Sequence, residues 1–120
     1  MKKLLIVDDE KDYLNSLVVS LRKKFDITFA TNYSSALGEL QKGVDIALID
    51  IRLVKNDEKN IDGLKILEWI KMNKPEISAS IMSSYTEFSY AEHALNLGAK
   101  HFFKKPIDII SLTAILQEKG

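Results

Sequence analysis

The amino-acid sequence predicts an α/β fold: a doubly wound, five-stranded parallel sheet with helices on both faces. Along the 120 residues, short apolar runs alternate with segments whose apolar residues recur at helical spacing. In addition, three of the apolar runs end on charged side chains, at Asp8-Asp9, at Asp50 and at Lys104-Lys105. Ligands of such sheets bind outside the carboxyl ends of the strands. These three run ends are therefore expected to meet at one site.

Five strand–helix pairs follow one another along the chain. Strands are predicted wherever a short apolar run is bounded by polar or turn residues, at 3–8, 27–30, 44–50, 77–83 and 101–103. Helices are predicted wherever one apolar stripe has helical spacing, at 10–24, 33–42, 62–73, 87–97 and 107–118. Right-handed crossovers between parallel strands then leave few topologies.

Capping and breaking residues mark the predicted helix ends. Thr31 or Asn32 is expected to cap the second helix and Gly43 to end it. Pro75 ends the third helix, and Gly98 closes the fourth. The stripes predicted to face the sheet in the first, third, fourth and fifth helices are Leu14, Leu17, Val18 and Leu21; Leu64, Leu67 and Ile70; Ala91, Ala94 and Leu95; and Ile109, Leu112, Ile115 and Leu116.

Composition excludes several classes of function. The chain has no cysteine, which excludes disulfides, thiolate catalysis and thiolate metal sites. Its 17 basic and 17 acidic residues balance, whereas a domain that binds nucleic acid through phosphates usually has a basic excess. No apolar run approaches the length of a transmembrane segment. We expect no direct nucleic-acid or membrane binding and a cytoplasmic location.

The polar strand ends carry groups suited to phosphoryl transfer. Asp8, Asp9 and Asp50 are costly to bury together unless a cation neutralises them, and Mg²⁺ binds carboxylates together with phosphate oxygens. A carboxylate can also accept a phosphoryl group. Lys105 offers a fixed positive charge, and Ser83, at the end of the fourth strand, offers a hydroxyl.

In order and spacing, the motifs of the chain resemble a response-regulator receiver domain over nearly the whole sequence. They are Val7-Asp8-Asp9-Glu10, Leu48-Ile49-Asp50-Ile51, Asp62-Gly63-Leu64, Ile81-Met82-Ser83-Ser84-Tyr85, Leu97-Gly98-Ala99 and Lys105-Pro106. The resemblance implies a flavodoxin-like (βα)5 three-layer sandwich and one receiver domain over residues 1–120. It implies a phosphorylation-dependent signalling switch rather than an enzyme, apart from self-catalysed phosphotransfer and autodephosphorylation.

The resemblance also implies a metal and a phosphoacceptor. Asp50 is then the phosphoacceptor, and Mg²⁺ is bound by Asp8, Asp9, Asp50 and the backbone carbonyl of Arg52. Lys105 contacts the phosphoryl group.

Further positions match the switch of the family. Ser83 takes the place of the switch hydroxyl, Phe102 that of the switch aromatic ring, and the backbone N–H of Ser84 is a further donor. The partners implied are a sensor histidine kinase or a phosphotransfer protein. The face formed by the fourth helix, fifth strand and last helix would act on an effector domain or form a homodimer.

The loop after Asp50 departs from the family pattern. Val54 replaces a proline, and Gly63 follows Asp50 by thirteen positions, which is more than usual for the family. We expect the added segment, Leu53 to Asn60, to be a mobile, solvent-exposed loop outside the phosphorylation machinery, because most of it is polar. The rival hypotheses are that Asp57 or Glu58 is an extra metal ligand, or that the loop docks a kinase.

Two other classes of protein are alternatives for this sequence. A Mg²⁺-dependent phosphatase with an aspartate nucleophile, similar to the haloacid dehalogenase group, would have a second aspartate where Arg52 stands. A flavin-binding module would have a Ser/Thr/Gly-rich phosphate loop after the first strand, where Asp8, Asp9 and Glu10 would repel a phosphate.

Overall fold

A five-stranded parallel sheet forms the centre of the protein. The computed structural model describes residues 1–54, 56–57, 59–84 and 90–118. Within them the strands are β1 (Lys3–Val7), β2 (Asp26–Ala30), β3 (Ile46–Asp50), β4 (Ser78–Ser83) and β5 (Phe102–Lys104). The helices are α1 (Lys11–Leu21), α2 (Tyr33–Lys42), α3 (Asp62–Asn73), α4 (Ala91–Asn96) and α5 (Ile109–Glu118).

The strand order is β2-β1-β3-β4-β5, and every neighbouring pair is parallel. The chain runs outward from β1 to β2, then crosses back to β3 on the other side of β1. The carboxyl ends of β1 and β3 therefore flank the point where the winding reverses, which is where ligands of such sheets bind. The predicted flavodoxin-like, doubly wound three-layer fold is confirmed.

Two apolar clusters hold the helices on opposite faces of the sheet. Successive strand side chains point to opposite faces, so Leu5 and Val7 pack with α2, α3 and α4, whereas Leu4 and Ile6 pack with α1 and α5. β1 and β3 are central and buried on both faces. β5 is an edge strand, and its two phenylalanines are half-buried.

The predicted capping and breaking residues agree with the structure, although α1 ends at Leu21, before the predicted residue 24, and α5 begins at Ile109, after the predicted residue 107. Asn32, one of the two predicted caps, accepts a hydrogen bond from Ser35 N through its side chain (2.8 Å). Gly43 and Gly98 follow α2 and α4 with φ of 103° and 93°, values that glycine adopts without strain. The start predicted for the fourth helix, at residue 87, lies outside the described residues.

One face prediction is wrong. In α4, Ala94 is buried as expected, but Leu95 is 54% exposed. The apolar spacing places Leu95 near the stripe, but Leu95 follows the buried Ala94 by one residue, a rotation of about 100° around the helix that turns its side chain toward solvent. Of the described helices, none combines the length and the apolar character needed to cross a bilayer.

Candidate functional site

The strand register brings two aspartates to the same edge of the sheet. β1 and β3 are neighbours, and Val7 lies opposite Ile49. Asp8, the residue directly after β1, therefore lies beside Asp50 at the end of β3. Asp8 N donates a hydrogen bond to Ala30 O (3.1 Å), which continues the ladder with β2 and holds the backbone of this strand end in place.

Asp8, Asp9 and Asp50 form what we call the acid cluster. One carboxylate oxygen from each lies within 4.8 Å of the others. Asp8 is completely buried and Asp50 is 6% exposed, whereas Asp9 is half-buried at the mouth of the cluster. The structure thus brings together the three carboxylates that the sequence predicted to converge.

Lys105 contributes the cation of the site. Its Nζ lies 2.7 Å from Asp8 Oδ2 and 3.2 Å from Asp50 Oδ2, and its side chain is only 9% exposed. Its backbone N donates to Ser83 O (2.7 Å), which fixes the strand end that carries the side chain. One ammonium therefore bridges two buried carboxylates, as the predicted convergence of β1, β3 and β5 requires.

The charges within the acid cluster are not balanced. Burial, together with the charges of Asp8 and Asp9, raises the pKa of Asp50 to about 8 in spite of Lys105. Burial and the charge of Asp8 also raise the pKa of Asp9. Burial by itself would lower the pKa of Lys105, but the charges of Asp50 and Asp8 outweigh it and raise that pKa. At neutral pH, the acid cluster together with the Lys105 ammonium therefore retains one carboxyl proton unless another cation binds.

Tyr13 is a site residue that the sequence analysis missed. The Nζ of Lys105 lies 4.8 Å from the centroid of the Tyr13 ring. The Tyr13 hydroxyl also accepts a hydrogen bond from Ile107 N (3.1 Å). On α1, Tyr13 lies one position before the predicted apolar stripe, and no signal in the sequence distinguishes it from an ordinary flanking residue.

Of the remaining predicted residues, Ser83 and Arg52 lie at the same edge of the sheet, whereas Phe102 lies within the sheet at the start of β5. Ser83 is buried at the end of β4, and its Oγ donates to Ser84 O (3.0 Å). Phe102 is half-buried and packs against the cluster that contains Ala94. Arg52 follows β3 and is half-buried. Tyr85, part of the motif after β4, lies outside the described residues.

The added loop is only partly as predicted. Val54, Asp57 and the other described residues near its tip are exposed, but Leu53 is 5% exposed and belongs to the core. Asn60 Oδ1 accepts hydrogen bonds from Leu53 N (2.9 Å) and Asp62 N (3.1 Å). The expectation of an exposed loop is therefore wrong at both ends, because Leu53 is apolar and one amide oxygen joins the start of the loop to the start of α3.

Gly63 is held against the end of β3. Its N–H donates to Ile51 O (2.8 Å), and a Cβ added to it would lie 2.0 Å from Asp50 O. Only a residue without a side chain can approach the backbone of Asp50 so closely. The Asp62-Gly63 motif thus has a steric reason: it lets α3 begin directly against the strand end that carries Asp50.

Residues 4–117 match the sequence family described as the response regulator receiver domain. The chain belongs to the response-regulator receiver family. Members of this family act as phosphorylation-dependent switches in two-component signalling, and they are generally Mg²⁺-dependent.

Named relatives agree with this assignment. The chain is 28% identical over 121 residues to the photosynthetic apparatus regulatory protein RegA of Rhodobacter capsulatus, covering 99% of the chain and 63% of RegA. It is 34% identical over 116 residues to a putative response regulator NtrX-like protein of Rickettsia felis, covering 95% of the chain and 24% of that protein. This receiver chain therefore spans less than two thirds of the length of these relatives.

Solved structures with the same fold include receiver domains. A CheY-like response regulator receiver domain protein from Methanospirillum hungatei JF-1 superposes with a TM-score of 0.87 at 25% identity, over 99% of this chain and 93% of that one. The receiver domain of NtrX from Brucella abortus superposes with a TM-score of 0.85 at 25% identity, over 97% and 96% of the two chains.

The acid cluster of this receiver fits a magnesium ion. All its donors are carboxylate oxygens, which Mg²⁺ prefers. Asp8 Oδ1 accepts a hydrogen bond from Glu10 N (2.9 Å), which orients the carboxylate. Within the described residues, the buried Asp8 Oδ2 accepts no hydrogen bond of good geometry, and its contact with Lys105 is an ion pair. This oxygen therefore keeps acceptor capacity for a second cation.

Proposed function

We propose that Asp50 accepts a phosphoryl group from a histidine kinase or a phosphotransfer protein, with Mg²⁺ bound at the acid cluster. The observation that carries the proposal is the convergence of three carboxylates within 4.8 Å around one ammonium at the switch point of the sheet. Phosphoryl transfer needs positioning and charge neutralisation more than covalent help from the protein, and this cluster offers both.

In the proposed step, an oxygen of the Asp50 carboxylate attacks phosphorus. The P–O bond to Asp50 forms while the P–N bond to the donor imidazole breaks, and the imidazole leaves with the bonding electron pair. The attacking oxygen must be deprotonated, whereas burial raises the pKa of Asp50 to about 8. A divalent cation held by these carboxylates would lower that pKa and favour the reactive carboxylate.

Mg²⁺ would be held by Asp8, Asp9, Asp50 and the backbone carbonyl of Arg52. Its positive charge would offset the carboxylates and the phosphoryl oxygens at the moment of transfer. Lys105 already lies beside Asp50 and would contact the transferred group as a fixed charge. It would have to exchange an ion pair with Asp8 or Asp50 for one with a phosphoryl oxygen.

Ser83 and Phe102 would transmit the modification. Ser83 Oγ now donates to Ser84 O (3.0 Å) and would have to release that carbonyl in order to donate to a phosphoryl oxygen. The backbone N–H of Ser84 would supply a further donor. The half-buried ring of Phe102 lies over the cluster that contains Ala94, so its repacking would alter the face formed by α4, β5 and α5.

That altered face would control an output, either through an effector domain or through a homodimer. The chain covers 24% of the response regulator protein PilR of Pseudomonas aeruginosa, so most of that relative lies outside the part that matches this receiver domain. The extent of the receiver domain over residues 1–120 and a cytoplasmic location stay predictions.

Acetyl phosphate with Mg²⁺ provides the test. Intact-mass spectrometry should find a single phosphoryl adduct on the unmodified protein, none on Asp50→Asn, and none in EDTA. Asp57→Asn is the matched control, because Asp57 is an exposed loop aspartate whose side chain accepts a hydrogen bond from Lys59 N. Equal labelling of Asp50→Asn and the unmodified protein would refute the assignment of the phosphoacceptor. Loss of labelling in Asp57→Asn would instead support the rival hypothesis that the loop supplies a ligand.

A further inference from the structure

Tyr13 reaches from α1 to the segment that follows β5. It contacts this segment twice: its ring faces the Lys105 ammonium at 4.8 Å, and its hydroxyl accepts from Ile107 N at 3.1 Å. Pro106, between these two residues, has no N–H to donate. The two contacts therefore involve both residues that flank the proline.

We propose that Tyr13 is a positioning residue for Lys105, which holds the ammonium at the acid cluster during phosphoryl transfer. The inference rests on the proposed function, in which Lys105 contacts the phosphoryl group. A lysine ammonium is a point charge on a flexible four-carbon stem. Its direction is therefore set by its surroundings, and the ring of Tyr13 forms one wall of those surroundings.

The ring differs in kind from the other partners of the ammonium. Asp8 and Asp50 attract it as charges, at 2.7 and 3.2 Å. A divalent cation at the acid cluster competes for those same oxygens and also repels the ammonium. The face of an aromatic ring attracts a cation through its quadrupole, and a metal bound to carboxylates does not compete for it. Tyr13 thus keeps a contact with Lys105 when the ion pairs weaken.

The hydroxyl of Tyr13 fixes the backbone of the same segment. Lys105 N donates to Ser83 O (2.7 Å) on one side of the proline, and Ile107 N donates to Tyr13 Oη on the other. The path of the chain from β5 is therefore tied both to β4 and to α1. The ring limits where the side chain of Lys105 points, and the hydroxyl limits where its backbone lies.

Two variants separate the two contacts. Tyr13→Phe keeps the ring and removes the hydroxyl, whereas Tyr13→Leu removes both. Tyr33→Leu is the matched control, because Tyr33 is also a half-buried helical tyrosine but packs on the opposite face of the sheet. NMR would follow two signals. The first is the chemical shift of Lys105 Hε, which the ring current of Tyr13 moves upfield, and the second is the hydrogen-exchange rate of the Ile107 amide.

Tyr13→Leu should lose the upfield shift of Lys105 and slow labelling by acetyl phosphate at saturating Mg²⁺ by at least about threefold. Its Mg²⁺ dissociation constant should stay within about twofold, because the ring and hydroxyl contacts of Tyr13 in the described residues are with Lys105 and Ile107, neither of which is a carboxylate. The binding of Mg²⁺ can be followed by calorimetry. Tyr13→Phe should keep the shift and the rate but exchange the Ile107 amide about fivefold faster. Tyr33→Leu should change none of these.

An unchanged Lys105 shift and labelling rate in Tyr13→Leu would overturn the proposal. If that variant does not fold, the absence of an upfield ring-current shift of Lys105 Hε in both the unmodified protein and Tyr13→Phe overturns it instead. Lys105→Met distinguishes the two levels of the argument. Normal labelling of Lys105→Met would refute the role of Lys105 in the proposed function, whereas slow labelling of Lys105→Met with normal labelling of Tyr13→Leu would refute only the role of Tyr13.

Discussion

Replacing Gly63 with alanine should destabilise the fold, although replacing a glycine within a helix by alanine normally increases stability. The added Cβ would lie 2.0 Å from Asp50 O and 2.6 Å from Ile51 Cα, against an ordinary contact of about 3.5–4.0 Å. Both neighbours are backbone atoms, so no side-chain rotation relieves the clash. The start of α3 has to move away from β3 by more than about 1 Å, which breaks the hydrogen bond from Gly63 N to Ile51 O.

The expected cost follows from these contacts. Overpacking of a tight site costs about 1–3 kcal/mol, and the lost buried hydrogen bond adds about 1 kcal/mol. The gain in helix propensity returns up to about 1 kcal/mol. We expect a net loss of about 2 kcal/mol in the free energy of unfolding, roughly 8 °C in Tm for a chain of this size.

Gly38→Ala is the control for this prediction. Gly38 lies within α2, is exposed, and has nothing within 4 Å of a built Cβ. It should therefore gain about 0.5–1 kcal/mol from helix propensity. Urea denaturation of the two variants should give opposite signs, and Gly63→Ala should also weaken Mg²⁺ binding because it displaces the backbone of Asp50. A Gly63→Ala protein as stable as Gly38→Ala would refute the steric argument.

Three further predictions concern the acid cluster and its loop. In EDTA, the free energy of unfolding should fall as pH rises from 3.8 to about 8, because the folded protein retains a proton on Asp50 that the unfolded chain has lost. Urea denaturation across this pH range should show that the free energy of unfolding depends less steeply on pH in Asp50→Asn, and equal dependence in the two proteins would contradict the raised pKa. Lys105→Met should lower metal-free stability by about 3 kcal/mol, since it leaves buried carboxylates without their cation, and melts should show a larger rise in Tm on adding Mg²⁺ than the unmodified protein shows. Asn60→Ala should lower the free energy of unfolding by about 2 kcal/mol, because two backbone N–H groups lose their acceptor, whereas Asn60→Asp keeps an acceptor oxygen and should be more stable. Equal stability of the two variants in denaturation curves would show that the Asn60 side chain does not stabilise the loop.

Much of the fold could be predicted from the order of apolar runs and helical stripes. The bounds of α2 and α3 agree with the predicted ranges, since Asn32 and Gly43 mark the ends of one and Pro75 follows the other. Such boundaries are local, because capping and chain-breaking depend on a few adjacent residues. The loop from Leu53 to Asn60 could not be predicted in the same way. Its polar composition indicated an exposed segment, but Leu53 is buried, and one of the two hydrogen bonds to the Asn60 side chain comes from the start of α3.

The sequence by itself determined which residues end the strands, and parallel strands present their carboxyl ends on one edge. That is why the convergence of Asp8, Asp50 and Lys105 could be predicted from the sequence. Only the tertiary structure decided which side chain of α1 contacts Lys105 and the segment after it. Tyr13 and Ile107 lie 94 positions apart, and their hydrogen bond depends on how closely α1 packs beside the segment after β5. Helical spacing shows which side of a helix is apolar, but the neighbour that a side chain meets depends on packing across the sheet.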